Sequence, residues 1–374
     1  MRIGIDGRSA IWYMGTGIGT YAYQLIKALS IIDLKNNYLI FMPKDSKHPL
    51  HLSSNFELAD ICREKKTCFW DEVNIPNILK DNKMDLYHVP QNGVGLPKSK
   101  DCPSVITLHD VIPCRMPETV SYEYLKIFSE KIPEIIKLCS GIITVSNFSK
   151  MDIIKEFNYP EEKIKVTPLA AESRYHPIDK ILSKYFISKK YSIKDKYILY
   201  VGGLGPRKNI SGLIEAFSLI RHKHQIKLVI AGTKGKSYDT LKKLSYKLNI
   251  ENDVVFPGFI QTRDLPFLYN GAELFVYPSF YEGFGLPPVE AMACGIPVIS
   301  SNAASIPEII GTGGILVNPR DTVELSHAMD NVLSDKALAE AMCLNGIVRS
   351  SNFNWESTAK KTLEFYSKIS SNIY

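Results

Sequence analysis

LFVYPSFYEGFGLPPVEAMACGIPVISS (274–301) reads as strand, glycine-rich loop, helix and strand in succession. LFVYPS (274–279) and PVISS (297–301) are short apolar runs of buried-strand character. Pro287 and Pro288 suit the first turn of a helix, where a missing N–H costs nothing, so Pro287 to Ala293 should open one. Two strands joined by a helix pair in parallel through a right-handed crossover. Gly283 and Gly285 free the backbone to turn sharply ahead of that helix. Glu290 then falls about one turn inside it, and Glu282 stays on the loop. Unpaired N–H groups at a helix start seat an anion. Two carboxylates beside an anion would repel it and are better placed to accept hydrogen bonds from hydroxyls of the same ligand. A ligand with phosphate and many hydroxyls is a sugar nucleotide. The plainer alternative is a solvated Glu282 and a Glu290 that favours its helix start.

The same alternation runs outward through the chain. RIGID (2–6), YLIFM (38–42), LYHV (86–89), SVITL (104–108) and GIITV (141–145) read as buried strands, with helices over 20–30 and 121–139. The second half repeats it with strands at 197–203, 227–233 and 254–259 and helices at 210–222 and 321–335. The expected fold class is α/β, two doubly wound Rossmann-like domains of parallel sheets. The first covers 1–172 and the second 197–355, with a polar, Lys-rich linker at 173–196. The 354–369 stretch, NWESTAKKTLEFYSKI, is a further helix pattern.

Composition excludes several classes. With 374 residues, 45% hydrophobic and 22% charged, the chain is an ordinary globular protein of roughly two or three domains at about 150 residues each. Its seven cysteines (Cys62, Cys68, Cys102, Cys114, Cys139, Cys294, Cys343) are odd in number and form no C-x-x-C pair. Neither a disulfide framework nor metal binding is indicated, and a reducing cytoplasm fits. MRIGIDGRSA lacks the apolar core of a signal peptide, and no run approaches the roughly 18 apolar residues of a membrane span. Most of the +6 net charge lies in KILSKYFISKKYSIKDK (180–196), so a nucleic-acid footprint is absent. That segment reads either as solvated or as attracted to an anionic membrane surface or lipid-linked substrate.

In open parallel sheets, ligands bind beyond the carboxyl ends of strands. Arg207 and Lys208, in LGPRKN (204–209), stand where a strand ends and a helix begins near Ile210. Arg grips phosphate oxygens bidentately and Lys acts as a point charge, so the pair reads either as a diphosphate clamp or as exposed loop cations. Gly15, Gly17 and Gly19 form G-x-G-x-G, not the dinucleotide G-x-G-x-x-G, and a loop of this kind lets a ligand approach the backbone. AGTKGKS (231–237) has the wrong spacing for a P-loop. His109 follows a strand, His88 ends another, and Ser146 follows a third as a helix cap or phosphate contact. No D-x-D pair occurs in the chain, so metal-clamped diphosphate chemistry is not indicated and no cofactor is expected.

These motifs, in this order, resemble the retaining GT-B glycosyltransferases of family 4 and their E-x7-E signature. The resemblance implies donor-sugar contact by Glu282 and ribose contact by Glu290, with Gly283, Phe284, Gly285 and Leu286 also at the donor. It makes Arg207 and Lys208 the diphosphate clamp, Gly17 and Gly19 a ligand-facing glycine loop, and His109 a catalytic residue reaching the transferred sugar. Gly203 stands where many members have Arg. Transfer would proceed with retention, without a metal, and the last helix, 356–374, would cross back to the first domain. DGR and TGIG-T-Y resemble mannosyltransferases that build bacterial surface polysaccharide. GDP-mannose is then the expected donor and a glycan or lipid-linked glycan the acceptor. The alternatives are a UDP-hexose or UDP-N-acetylhexosamine donor, an epimerase or hydrolase on the same fold, and a non-catalytic sugar-nucleotide sensor or assembly subunit.

Overall fold

The computed structural model describes residues 1–44, 50–62, 76–98 and 101–371. Cys68 and residues 372–374 of the terminal helix prediction lie outside them. The chain divides into two units, 1–169 with 354–374, and 170–353. The boundary differs from the expected linker. Lys180–Tyr191 is a helix that belongs to the second unit, burying Ser183 and Ile187 and packing against the Leu265–Gly271 helix. Its lysines are largely engaged: Lys180 and Lys184 both reach Glu273 at 2.7 Å, and Lys190 reaches Asp264 at 2.6 Å.

The first unit holds a seven-stranded sheet in the order β3-β2-β1-β4-β5-β6-β7. Its strands are β1 (Arg2–Asp6), β2 (Asn37–Pro43), β3 (Phe56–Cys62), β4 (Leu86–Val89), β5 (Ser104–Thr107), β6 (Gly141–Thr144) and β7 (Ile164–Val166). The second holds β10-β9-β8-β11-β12-β13. These are β8 (Tyr197–Val201), β9 (Lys227–Ala231), β10 (Val254–Gly258), β11 (Leu274–Tyr277), β12 (Val298–Ser301) and β13 (Ile315–Val317). Every pairing is parallel. Both sheets reverse direction once, between β1 and β4 and between β8 and β11, and those reversals are where doubly wound folds bind ligands.

Core strands are buried on both faces, which is why they read as unbroken apolar runs: β4, β6, β11 and β12 are buried throughout. The Trp355–Ser371 helix belongs to the first unit, where Thr358, Thr362, Phe365, Tyr366 and Ile369 are buried. No helix among the described residues is long and apolar enough to cross a membrane.

The two glycines expected to face a ligand in the first unit differ. A side-chain carbon on Gly19 would lie 1.9 Å from the Tyr13 carbonyl oxygen, whereas one on Gly17 would meet nothing within 4 Å. Gly19 is therefore required by the turn itself, and only Gly17, exposed at the start of the Gly17–Ile32 helix, remains open to a ligand. Gly19→Ala should cost about 1–3 kcal/mol through overpacking. Gly17→Ala should stay within about 0.5 kcal/mol, and urea unfolding of the two variants separates the roles.

Candidate functional site

The loops after β8 and β11 meet at the reversal of the second sheet. After β8, Pro206–Lys208 makes one tight helical turn, and Asn209 takes a left-handed backbone (φ 53°) before the Ile210–Ile220 helix. After β11, the Glu282 loop is clamped. Ser305 donates its hydroxyl to the carbonyls of Glu282 at 2.8 Å and Phe284 at 3.2 Å, and the Phe280 N–H donates to the Arg207 carbonyl at 2.9 Å. Of the two loop glycines, only Gly285 has positive φ (98°), and a side-chain carbon there would strike Ile306 at 2.6 Å. Gly283 needs no such freedom.

This frame gathers the charges. Lys208 Nζ donates to Glu282 Oε1 at 2.6 Å and to the Tyr277 hydroxyl at 2.7 Å, and that hydroxyl donates to Oε1 at 3.0 Å. Arg207 pairs with Glu282 Oε2 at 2.9 Å and donates to the Tyr281 carbonyl. Burial alone would raise the Glu282 pKa. The charges of Lys208 and Arg207, and the hydrogen bonds from both, outweigh it and hold the carboxyl down at about 2. Glu282 is thus a permanent acceptor. The sequence treats the cations and the first carboxylate as separate contacts; the structure makes them one cluster with a local surplus of one positive charge. Tyr277, the last residue of β11 and the hinge of the cluster, escaped the sequence reading because its hydroxyl is unremarkable until Lys208 reaches it.

Leu286–Ala293 forms the expected helix, with Gly285 as its N-cap. Its anion seat is smaller than anticipated, because Pro287 and Pro288 carry no N–H and leave the amides of Gly285 and Leu286 as the donors of the helix start. The Phe284 side chain does not face the loop's outer side: it is 4% exposed and meets Phe353 edge-on at 5.7 Å. Its backbone alone remains a donor-site candidate. Glu290 sits apart from the Glu282 cluster, accepting from the Tyr269 hydroxyl at 2.8 Å with Tyr175 also facing it. Gly203 lies on an open stretch, its carbonyl accepting from the Tyr200 hydroxyl at 2.8 Å.

In the first unit His109 stands past the end of β5, 7% exposed, its ring edge-on to Tyr21 at 4.9 Å. Its Nε2 lies 3.0 Å from the Pro90 carbonyl, which can only accept, so Nε2 carries the proton and Nδ1 the lone pair. Burial lowers its pKa to about 4 against the opposing Pro90 bond, keeping the ring neutral. His88 is no strand-end ligand residue. It is fully buried, its Nε2 2.8 Å from Thr107 Oγ1 and its Nδ1 2.6 Å from the Tyr366 hydroxyl. It pins the terminal helix to the sheet. Ser146 is a cap: its Oγ accepts from the Ser149 N–H at 3.0 Å at the start of Asn147–Phe157. No group of three or more His, Cys, Asp or Glu placed to hold a metal occurs among the described residues.

Residues 15–172 match the family model described as Glycosyltransferase Family 4, and residues 183–349 that of Glycosyl transferases group 1. The chain is 32% identical over 372 residues to the O-antigen chain mannosyltransferase B of Escherichia coli, covering 95% of this chain and 97% of that protein. The chain belongs to this glycosyltransferase family. A shorter match, 32% identity over 227 residues, 61% of this chain and 60% of the relative, links the glycosyltransferase to the O-antigen chain mannosyltransferase RfbU of Salmonella typhimurium. Among solved structures, sucrose-phosphate synthase from Thermosynechococcus elongatus superposes with a TM-score of 0.78 at 21% identity over 100% of both chains. Anabaena HepE in complex with UDP-glucose gives 0.75 at 19% identity, over 98% of this chain and 100% of that one. The glycosyltransferase therefore has the GT-B fold, and it is a hexosyltransferase.

One consequence concerns pH. Burial raises the Glu290 pKa from 4.5 to about 7, with the Tyr269 bond opposing and Glu172 adding to the rise. The folded glycosyltransferase then binds a proton that the unfolded chain releases. The stability this contributes is complete below the unfolded value and is lost as pH rises through about 7. Glu290→Gln keeps a partner for Tyr269 and removes the titration. Between pH 5 and 8 the variant's urea midpoint should fall less than that of the natural chain; equal falls would assign the dependence elsewhere.

Proposed function

We propose that the protein transfers mannose from GDP-mannose, with retention and without a metal ion, to a glycan or lipid-linked glycan in bacterial surface polysaccharide synthesis. The observation that carries the reading is the Arg207–Lys208–Glu282 cluster at the sheet reversal, two cations fixed around one ionised carboxylate. A bound diphosphate draws on both cations, as the departing group must be neutralised by fixed charge. Glu282 then accepts hydroxyl hydrogens of the donor sugar, and Glu290 with Tyr269 faces the ribose. The bond between the anomeric carbon and the phosphate oxygen breaks, the acceptor oxygen bonds to the same face, and its proton passes to the departing phosphate. His109 keeps the lone pair of Nδ1 turned to accept from a sugar hydroxyl. The mannose assignment draws on the name of the full-length relative.

The test is a panel of GDP-mannose, UDP-glucose and UDP-N-acetylglucosamine, read first by thermal shift. A donor at ~100 times its dissociation constant stabilises the protein by about 2.7 kcal/mol. GDP-mannose should shift the melting temperature most, transfer should persist in EDTA, and NMR of the product should show an α-linkage. A UDP-sugar as the best donor would replace the proposed substrate, and turnover to free or epimerised sugar without acceptor would replace the reaction.

A further inference from the structure

The Lys-rich stretch of the second unit has a defined outer face. On the Lys180–Tyr191 helix, Ser183 and Ile187 are buried, and Phe186 stacks on Phe267 of the Leu265–Gly271 helix at 4.4 Å. Ile181, Leu182, Tyr185 and Lys189 share the outer side, within roughly 100° of arc. Ile181 is 80% exposed, Tyr185 61% and Leu182 53%. Exposed apolar residues scattered singly are ordinary, but three on one side of a 12-residue helix form a patch that a partner covers. A second helix adjoins it. A side-chain carbon on Gly295 would lie 3.0 Å from Ile347 and 3.5 Å from Pro177, so the Lys336–Ser351 helix runs close to the chain that leads into Lys180. There Leu344 and Val348, one turn apart, are each 67% exposed.

The charge around this apolar strip is predominantly positive. From Asp179 to Lys196 the chain carries six lysines and two aspartates; with Glu273, Asp264 and Arg263, which border the segment, that makes seven cations against four carboxylates, a surplus of three. The surplus stands outward. Lys189 lies 5.6 Å from the centre of the Tyr185 ring, and Lys189, Lys194 and Lys196 are exposed without an ion pair among the described residues. An apolar strip edged by lysines matches a membrane of anionic lipid, where Ile and Leu enter the acyl boundary and lysine stems lie along it with their ammonium groups at the phosphates. A nucleic acid would use the cations and leave the strip bare. A second copy of the chain would set one positive face against another.

We propose that the outer face of the Lys180–Tyr191 helix docks on an anionic phospholipid bilayer, with Ile181, Leu182 and Tyr185 seated in the interface and Lys189, Lys194 and Lys196 facing the headgroups. The attachment goes beyond the transfer reaction and does not depend on which donor the chain uses. Sequence alone leaves the segment between a solvated stretch and a membrane contact, because only the helix turns its three apolar residues to the same side.

Co-sedimentation of the full chain with lipid vesicles tests the docking face. The natural chain should pellet with vesicles of phosphatidylcholine and phosphatidylglycerol but not with phosphatidylcholine alone, and added salt should weaken the binding. Ile181→Ser combined with Leu182→Ser should lower the affinity about tenfold, the effect of withdrawing two apolar side chains from the interface. Its melting temperature should not change, because both residues are largely exposed. Lys189→Gln combined with Lys194→Gln should also weaken binding and flatten its dependence on salt. Tyr185→Trp adds a local readout: its emission should shift to the blue with anionic vesicles, beyond any change from the three tryptophans of the natural chain. Undiminished binding in the Ile181 and Leu182 variant, equal binding to both kinds of vesicle, or no added shift in Tyr185→Trp would overturn the proposal. So would a natural chain that sediments as a dimer beside a monomeric Ile181 and Leu182 variant, which would give the face to a second copy.

Discussion

Lys208→Ala should lower kcat/KM for the donor by about two to three orders of magnitude, the usual effect of losing one preorganised charge-stabilising group. Lys208 acts twice. It supplies one of the two cations that meet the diphosphate, and it holds Glu282 and Tyr277 in register at 2.6 and 2.7 Å. Its removal leaves Arg207 alone to offset both Glu282 and the ligand, so the local balance falls from a surplus of one positive charge to neutrality. Lys208→Arg should recover only part of the loss, because a planar fork cannot occupy the place of a point donor between a phenol and a carboxylate. Steady-state kinetics with saturating acceptor provide the measurement. A variant within fivefold of the natural enzyme would show that the cluster does not bind the reacting end of the donor.

Asp6→Ala should destabilise the folded chain by about 3–5 kcal/mol, since removing one member of a buried ion pair strands the other charge. Both side chains of the Asp6–Arg8 pair are wholly inaccessible, and Gln91 has no other carboxylate in its bonds. Replacing the pair together, as Asp6→Leu with Arg8→Met, should restore much of the stability, because apolar groups of similar volume carry no desolvation cost. Urea unfolding of the three chains decides the matter; a single-variant loss below about 1 kcal/mol would mean that water reaches the stranded guanidinium.

Much of this architecture is legible in the sequence because parallel strands covered on both faces are almost purely apolar. RIGID, LYHV and GIIT match β1, β4 and β6 within a residue. The strands that escape notice are β3, β7 and β13, and all three lie at sheet edges. An edge strand has one neighbour and half a solvent face, so FELADIC and IKV show no apolar run. The Lys180–Tyr191 helix escapes for a related reason: it buries little more than Ser183 and Ile187 and so looks like a linker.

The candidate site divides in the same way. Arg207, Lys208, Glu282 and the helix after them are legible because turn residues and charged types mark a strand end locally. Their partners are not. Tyr277 and Tyr269 come to Lys208 and Glu290 from 69 and 21 residues away, and Gln91 to Asp6 from 85. Histidine is the residue most open to misassignment. His88 and His109 both follow apolar runs, and only the packing of Tyr366 against one and Tyr21 against the other separates a structural pin from a candidate for chemistry.

The most direct test of the whole account is a crystal structure of the protein soaked with GDP-mannose in the presence of EDTA. The account predicts a diphosphate within hydrogen-bond distance of both Arg207 and Lys208, with a mannose hydroxyl on the Glu282 carboxylate. A donor bound away from the β8 and β11 loops, or one seen there only when a divalent ion is restored, would contradict it.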